Sequence, residues 1–417
     1  MLYFSTMDIG ALGIYFCLFM GLYFEVFLLI SFLEQRPHKK TASRPRYYPT
    51  VAILVPCWNK EKTLAATVHS LLALQYPKKK LSIVIIDDGS TDGTLAAAEE
   101  FANHPQVKIF SKQNEGSKYS ALNFGLARTQ SELVGCLDAD SFVAPDALIE
   151  VVKKFESAPD IMAVTPAMRV HQPRNFFELM QAVEYVFGIF YRKMFDNLKA
   201  ITVLPGPFST YRREVFTKIG GFRYAHHTED MEMAFRMHKN GLRIANAHTA
   251  VVSTKVPSSL GSLVRQRVRW SRGFLENSRD YSFMFFNPRY GNLGVMALPF
   301  GLIAFVMGLY VAGYMLYSLV TTLFTKALSL WTTGVPLQVA APHFELFYID
   351  TSMLTFLVAI VIGLTLVAVL IGGRIAQTKL SASSLILYFA CFGFVAPLWL
   401  GRAVWDMALA RDRGWLT

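Results

Sequence analysis

The sequence predicts an α/β domain with a mainly parallel sheet, carried between membrane-spanning helices. Three observations predict it. Long apolar runs flank the chain, short β-branched runs alternate with helical spacing in the middle, and acids cluster where those β-branched runs end.

Of the 417 residues, 53% are hydrophobic and only 17% charged, more apolar than a soluble chain of this length requires. The stretch Ile9–Leu33 is long enough to cross a hydrocarbon core of about 30 Å, and Glu25 is its only charge. Basic residues follow it rather than precede it (Arg36, Lys39, Lys40, Arg44 and Arg46), so it reads as an uncleaved anchor and not a signal peptide. The positive-inside rule then puts the following segment in the cytoplasm and the amino terminus outside. Apolar runs at 294–324, 347–371 and 382–401 complete a four-span expectation. Lys326 after the second run, and Arg374 with Lys379 before the fourth, agree with alternating sidedness. Arg402, Arg411 and Arg413 do not, and a re-entrant late segment, or a span count off by one, would account for them.

The excess of 41 Lys and Arg over 30 Asp and Glu gives a net charge of +11, which suits anionic lipid headgroups or a phosphorylated ligand. With membrane spans present, no nucleic-acid partner is expected. Cys17, Cys57, Cys136 and Cys391 lack the spacing of a zinc site or a disulfide framework and read as buried thiols.

From Arg46 to about Asn287 the pattern changes. "TVAILVPC", "LSIVIIDDG" and "LVGCLDADS" are strands of the kind buried on both faces of a parallel sheet, each ending in turn residues or acids. Between and around them, "EKTLAATVHSLLAL", "TLAAAEEFA" and "YSALNFGLA" have helical spacing. Such a doubly wound domain takes its ligand in the crevice beyond the carboxyl ends of the strands.

The acids sit there. Asp87 and Asp88 precede a turn in which Gly89 and Gly93 permit unusual backbone angles, although a capped strand-to-helix turn would need the same residues. Asp138 and Asp140, at alternate positions after the third strand, can share one divalent cation whose other ligands are water and phosphate oxygens. In "HHTEDMEMAFRMHKNG", Thr228 is the expected helix N-cap, with Glu229 and Asp230 in the first turn and Met233, Phe235 and Met237 facing inward. Acids there also complement a helix dipole. His226 and His227 read as polar rim. In "RQRVRWSRGF", a helix over 264–274 puts Arg265 and Arg269 on one face and Gln266 and Trp270 on the next. Guanidinium groups match phosphate oxygens and an indole offers a flat face to a sugar ring, while a basic helix with a belt tryptophan also suits a lipid interface. The two readings are compatible.

Asp88 in DDGS, Asp140 in DAD, Glu229 and Asp230 in TED, and Gln266, Arg269 and Trp270 in QxxRW occur in that order between spans. This resembles the membrane-embedded family 2 glycosyltransferases, whose members include cellulose, chitin, hyaluronan and poly-N-acetylglucosamine synthases. The likeness covers about residues 50–290. It implies a GT-A (nucleotide-diphospho-sugar transferase) domain at 47–257, an anchor at 1–35, interfacial amphipathic helices at 258–292 and a transmembrane region at 293–417 with about three helices. It also implies an inverting transfer from a UDP-sugar, N-acetylglucosamine or glucose, to a growing β-linked polysaccharide, with coupled export. Pro56, Asn59 and Glu61 would cradle uracil and ribose, Asp88 would bind the uridine, and Lys118 would approach the diphosphate. Asp138 and Asp140 would hold Mg2+ or Mn2+, and Asp138 the nucleotide as well. Asp230 would be the general base, with Glu229 beside it. Gln266 and Arg269 would close over the diphosphate and Trp270 would position the acceptor. "GPFSTYRRE" looks like the acceptor-side loop of hyaluronan and poly-N-acetylglucosamine synthases, which places Gly206 and Pro207 at the acceptor.

Departures are visible. Lys60 precedes Glu61 where the family often has two acids, and one extra residue stands between Gly116 and Lys118. Fewer spans than in cellulose or hyaluronan synthases imply a narrow path, or one completed by an export or accessory membrane subunit. The expected location is the plasma or inner membrane with the catalytic domain cytoplasmic. An alternative is transfer of one sugar to a lipid acceptor, as in ceramide glucosyltransferase. A transporter or inactive scaffold that merely binds nucleotide fits less well, because four spans make a small transporter and every acid the chemistry needs is present.

Overall fold

The computed structural model describes residues 9–34, 44–334 and 352–409. Arg36, Lys39, Lys40, Arg411 and Arg413, and the start of the third apolar run, lie outside the described residues.

Helix α1 (Ile9–Leu33) leads into the domain. There follow β1 (Val51–Cys57), α2 (Leu64–Leu72), β2 (Leu81–Asp87), α3 (Thr94–Glu99), β3 (Val107–Ser111), α4 (Lys118–Leu126), β4 (Leu133–Cys136), β5 (Ser141–Val143), α5 (Ala147–Ser157) and β6 (Ile161–Val170). Next come α6 (Phe176–Asn197), β7 (Thr210–Arg212), α7 (Arg213–Ile219), α8 (Glu229–Lys239), β8 (Arg243–Thr254), α9 (Leu260–Asp280), α10 (Leu298–Thr333), α11 (Met353–Ile375) and α12 (Ala382–Ala408).

The strands form one sheet in the order β3-β2-β1-β4-β7-β6-β8-β5. Its first four members are parallel, as the apolar runs predict. The far side is mixed: β7 runs antiparallel to both β4 and β6, β8 is parallel to β6, and β5 is antiparallel to β8. Alternate residues serve two cores. Ile53, Val55, Ile83 and Ile85 pack with Leu64 and Val68 of α2 and Val151 and Val152 of α5. Leu54, Val84 and Ile86 pack with Ala121 and Leu122 of α4, Val215 of α7 and Met233 of α8. Each such side chain contributes roughly 1.5–3 kcal/mol on burial, so the sheet is a rigid support. Registers Cys57↔Asp87 and Leu54↔Cys136 bring the strand ends level and set their acids along one edge.

α6 joins the domain to the apolar helices. It starts with a capping box, in which the Asn175 side chain accepts from the Glu178 amide and the Glu178 carboxylate accepts from the Asn175 amide. Phe190 and Met194 pack on Phe24 and Leu28 of α1, while Met180 and Val183 pack on α9 and α12. Among the described residues, four helices are long and apolar enough to cross a membrane: Gly10–Leu33, Leu293–Thr333, Met353–Ile375 and Ala382–Ala408. The second, at 41 residues, outruns the predicted 294–324. α12 packs on α9, and Val369 of α11 reaches the same cluster. Tyr388 near its start and Trp399 and Ala403 near its end share one cluster with Leu263 and Val268 of α9, so α12 runs along the helices of the domain.

Candidate active site

A cavity of about 2020 Å³ opens beyond the carboxyl ends of β1 and β4. Pro56, Asn59, Lys118, Asp138, Asp140, Gly206, Pro207, Glu229, Asp230, Gln266, Arg269 and Trp270 all line it. The expected convergence of the DAD, TED and QxxRW segments is therefore what the fold produces.

Two expected residues do not line it. Glu61 is taken up by the backbone, its Oε2 accepting from the Gly93 amide at 2.9 Å. Asn59, in the left-handed region at φ 51°, accepts from the Thr91 amide at 2.9 Å, and Ser90 Oγ accepts from the Asn59 amide at 3.0 Å. The 58–61 loop and the 88–93 turn are thus zipped together. Gly89, at φ 67°, lies where a Cβ would be 2.8 Å from the Asn114 amide nitrogen, so the turn needs glycine there. Asp88 is 2% exposed and pairs with Lys112 at 2.9 Å. Burial pushes its carboxyl above the usual range against the pull of that lysine. A buried acid needs a counter-ion, and Lys112, just past β3, is the one the sheet supplies.

The DAD acids also have lysine partners. Asp138 takes Lys118 at 2.5 Å, and Lys118 is 3.4 Å from Glu229. Burial opposes the charge on Lys118, but Asp138 and Glu229 outweigh it and raise its pKa. Gly206 backs this pair so closely that a Cβ would stand 2.8 Å from Asp138 Oδ2. Asp140 takes Lys60 at 2.7 Å.

Asp230 is in the first turn of α8. Burial and then Glu229 raise its carboxyl well above the usual range, against Lys118 and Arg269. Such a carboxylate is a stronger base near neutrality than an exposed one. Thr228 occupies the N-cap position, but its hydroxyl does not cap α8. It donates to the Ala225 carbonyl at 3.0 Å and accepts from Asn277 Nδ2 at 2.8 Å, so the expected cap is instead a link to α9. His226 bonds Glu276 and Asp280, both 3.0 Å away, adding a second link.

α9 presents Gln266, Trp270, Gly273 and Asn277 as one stripe. A Cβ on Gly273 would overlap Thr228, so the glycine lets α9 and α8 touch. Arg267 lies 4.4 Å from the centroid of the Trp270 ring and 2.7 Å from Glu184 of α6, which braces the indole from behind. Gln266 Oε1 is buried with no hydrogen-bond partner among the described residues, and Arg265 and Arg269 form no ion pair among them. An orphaned acceptor and unneutralised guanidiniums facing one cavity are groups that a polar, anionic ligand would satisfy.

No group of three or more His, Cys, Asp or Glu that could hold a metal occurs among the described residues. Asp138 and Asp140 alone fit a divalent cation that arrives with phosphate oxygens and water, not a pre-formed cage.

Sequence reasoning missed Gly273 and Asn277, although spacings of three and seven from Trp270 put them on its face. It also missed Glu184, and Arg402 and Asp406 of α12, which line the same cavity. Arg402 Nε and Asp406 Oδ1 are 3.1 Å apart.

A family model described as "Glycosyltransferase like family 2" matches residues 49–273, just over half of the chain. A poly-β-1,6-N-acetyl-D-glucosamine synthase from Staphylococcus epidermidis is 29% identical over 265 residues, covering 62% of this chain and 64% of the relative. The synthase of the same description from Staphylococcus aureus strain COL is 31% identical over 224 residues, 54% of each chain. The match thus spans less than two thirds of either relative. Among solved structures, a mannosyltransferase from Pyrobaculum calidifontis in complex with GDP-Man and Mn2+ aligns over 97% of this chain and 99% of its own, with a TM-score of 0.64 and 19% identity. At that identity the likeness shows a shared fold, that of a GT-A glycosyltransferase.

Proposed function

The chain belongs to the family 2 glycosyltransferases, and from that premise we propose that it builds a β-linked polysaccharide at a membrane from a UDP-sugar, N-acetylglucosamine or glucose, by processive inverting transfer with coupled export. The reading divides the chain into an anchor at 1–35, a cytosolic GT-A domain at 47–257, interfacial helices at 258–292 and a membrane region at 293–417. One observation carries it: Asp138, Asp140 and Asp230 share a single chamber with Gln266, Arg269 and Trp270, and that chamber continues along α6 and α12.

In this mechanism the Asp230 carboxylate accepts the proton of an acceptor hydroxyl as its oxygen attacks the anomeric carbon, a contribution of about 10²–10⁴-fold. The bond from that carbon to the diphosphate oxygen breaks, UDP departs, and the α-linked donor becomes a β-linked product without a covalent enzyme intermediate. Arg269 and Lys118 stabilise the charge that develops on the leaving diphosphate. A magnesium or manganese ion held by Asp138 and Asp140 would offset the same charge. Pro56 and Asn59 contact the nucleotide, with Glu61 and Asp88 shaping the loops behind them. Trp270 stacks the acceptor sugar beside Gly206 and Pro207, and Gln266 fills its open acceptor position on the substrate. Glu229 sets the basicity of Asp230.

The test is to incubate the detergent-solubilised chain with a panel of UDP-sugars and Mg2+ or Mn2+, reading UDP release and product size. A ladder or high polymer supports the proposal. A single mobile glycolipid overturns the polymer reading, and no turnover with any donor overturns both.

A further inference from the structure

The cation-site acid Asp140 already has a cation of its own. Lys60 Nζ is 2.7 Å from Asp140 Oδ2, the two side chains are 39% and 27% exposed, and both residues line the cavity. The lysine is not on a loose loop. Its amide donates to Thr94 Oγ1 at 2.6 Å, and the neighbouring Glu61 and Asn59 bind the 91–93 backbone, so the reach of the Lys60 side chain is fixed from its root. The other acid of the pair, Asp138, is engaged by Lys118 at 2.5 Å.

We propose that Lys60 is a positioning residue that makes cation binding conditional on nucleotide: it occupies Asp140 until a diphosphate arrives and draws the ammonium away. A bare divalent cation approaching Asp140 meets a fixed positive charge at hydrogen-bond distance from the carboxylate, and must displace it into water. With a diphosphate in the chamber the ammonium has phosphate oxygens to move to, and the carboxylate is released to the cation in the same event. Cation and nucleotide therefore enter together, each raising the affinity of the other by one common factor. The proposal rests on Asp140 as a cation ligand, and the experiment separates the two claims.

The full chain in detergent is titrated with Mn2+, following the free-ion electron paramagnetic resonance signal, with and without UDP. Wild type should bind Mn2+ alone weakly and gain at least about ten-fold with UDP. Lys60→Ala should bind Mn2+ alone roughly three- to five-fold more tightly, the upper order expected when a competing ion pair on a partly exposed acid is removed, and should lose a matching part of the gain from UDP. Lys60→Arg, which keeps the charge, should restore the wild-type pattern. If Lys60→Ala leaves Mn2+ affinity within about two-fold of wild type while Asp140→Asn weakens it, Asp140 is a cation ligand and the role of Lys60 is overturned. If Asp140→Asn binds Mn2+ as wild type does, the cation-site reading falls and the proposal falls with it.

Discussion

The two walls of the chamber treat charge differently. On the strand-end wall both acids that line the cavity are matched: Asp138 with Lys118 and Asp140 with Lys60. On the α9 wall, Arg265 and Arg269 form no ion pair among the described residues, and Gln266 Oε1 has no donor among them. The first wall is internally neutral and can take a ligand only by exchanging partners. The second carries the surplus positive charge, which the proposed mechanism sets against a leaving diphosphate. Asp230 lies at the seam, its carboxyl raised by burial and then by Glu229, against Lys118 and Arg269.

Substitutions can break this division, beginning at the seam. Asp230→Asn should reduce sugar transfer by about 10²–10⁴-fold while UDP binding and the melting temperature stay near wild type; near-normal UDP release would remove Asp230 from the base role. Gly273→Ala should follow, with roughly 10²-fold slower transfer, because the new methyl overlaps Thr228 and levers α9 off α8. Alanine is the better helix former by about 1 kcal/mol, so α9 itself should not weaken, and an unchanged rate would mean the close approach is irrelevant. Trp270→Ala should raise the acceptor KM by about ten-fold with little change in UDP affinity. An equal loss of both would merge the two walls into one.

The smallest effect is a shift in pH dependence. As the proposed base Asp230 must be ionised, and its carboxyl is raised, so transfer should fall as pH drops through that raised value. Glu229→Gln removes one of the causes, lowers the pKa of Asp230 and should move the acidic fall-off to lower pH. Movement to higher pH in the rate profile would contradict the coupling.

The strand-end wall was the legible one. β1, β2 and β4 are buried on both faces, so each reads as an unbroken apolar run, and the acid or turn residue that ends it is also the residue at the crevice. In the far half of the sheet, β5 and β7 gave no such signal, being only three residues each and too short for any periodicity. α6 had one, the Asn175–Glu178 capping box, which passed unread between Arg174 and a run mixing aromatic and charged residues. The QxxRW helix was recognised by its side-chain types, while its lock on α8 depends on a glycine and an asparagine whose meaning appears only when Thr228 faces them. The pairing of Lys60 with Asp140 spans 80 residues of sequence and follows from no local pattern. The family resemblance assigns Glu61 and Asp88 to the ligand, but the backbone amide of Gly93 and the Lys112 ammonium reach them first.

α12 gives the chamber a wall that the α/β domain does not own. Its Arg402 and Asp406 look into the same space as Trp270, yet much of its outer surface, including Ile386 and Phe394, is exposed greasy side chain. Acyl chains pressing on that surface would bear on the volume of the chamber itself. Turnover should accordingly respond to bilayer thickness when the chain is placed in nanodiscs of shorter and longer lipids, with nucleotide affinity left unchanged.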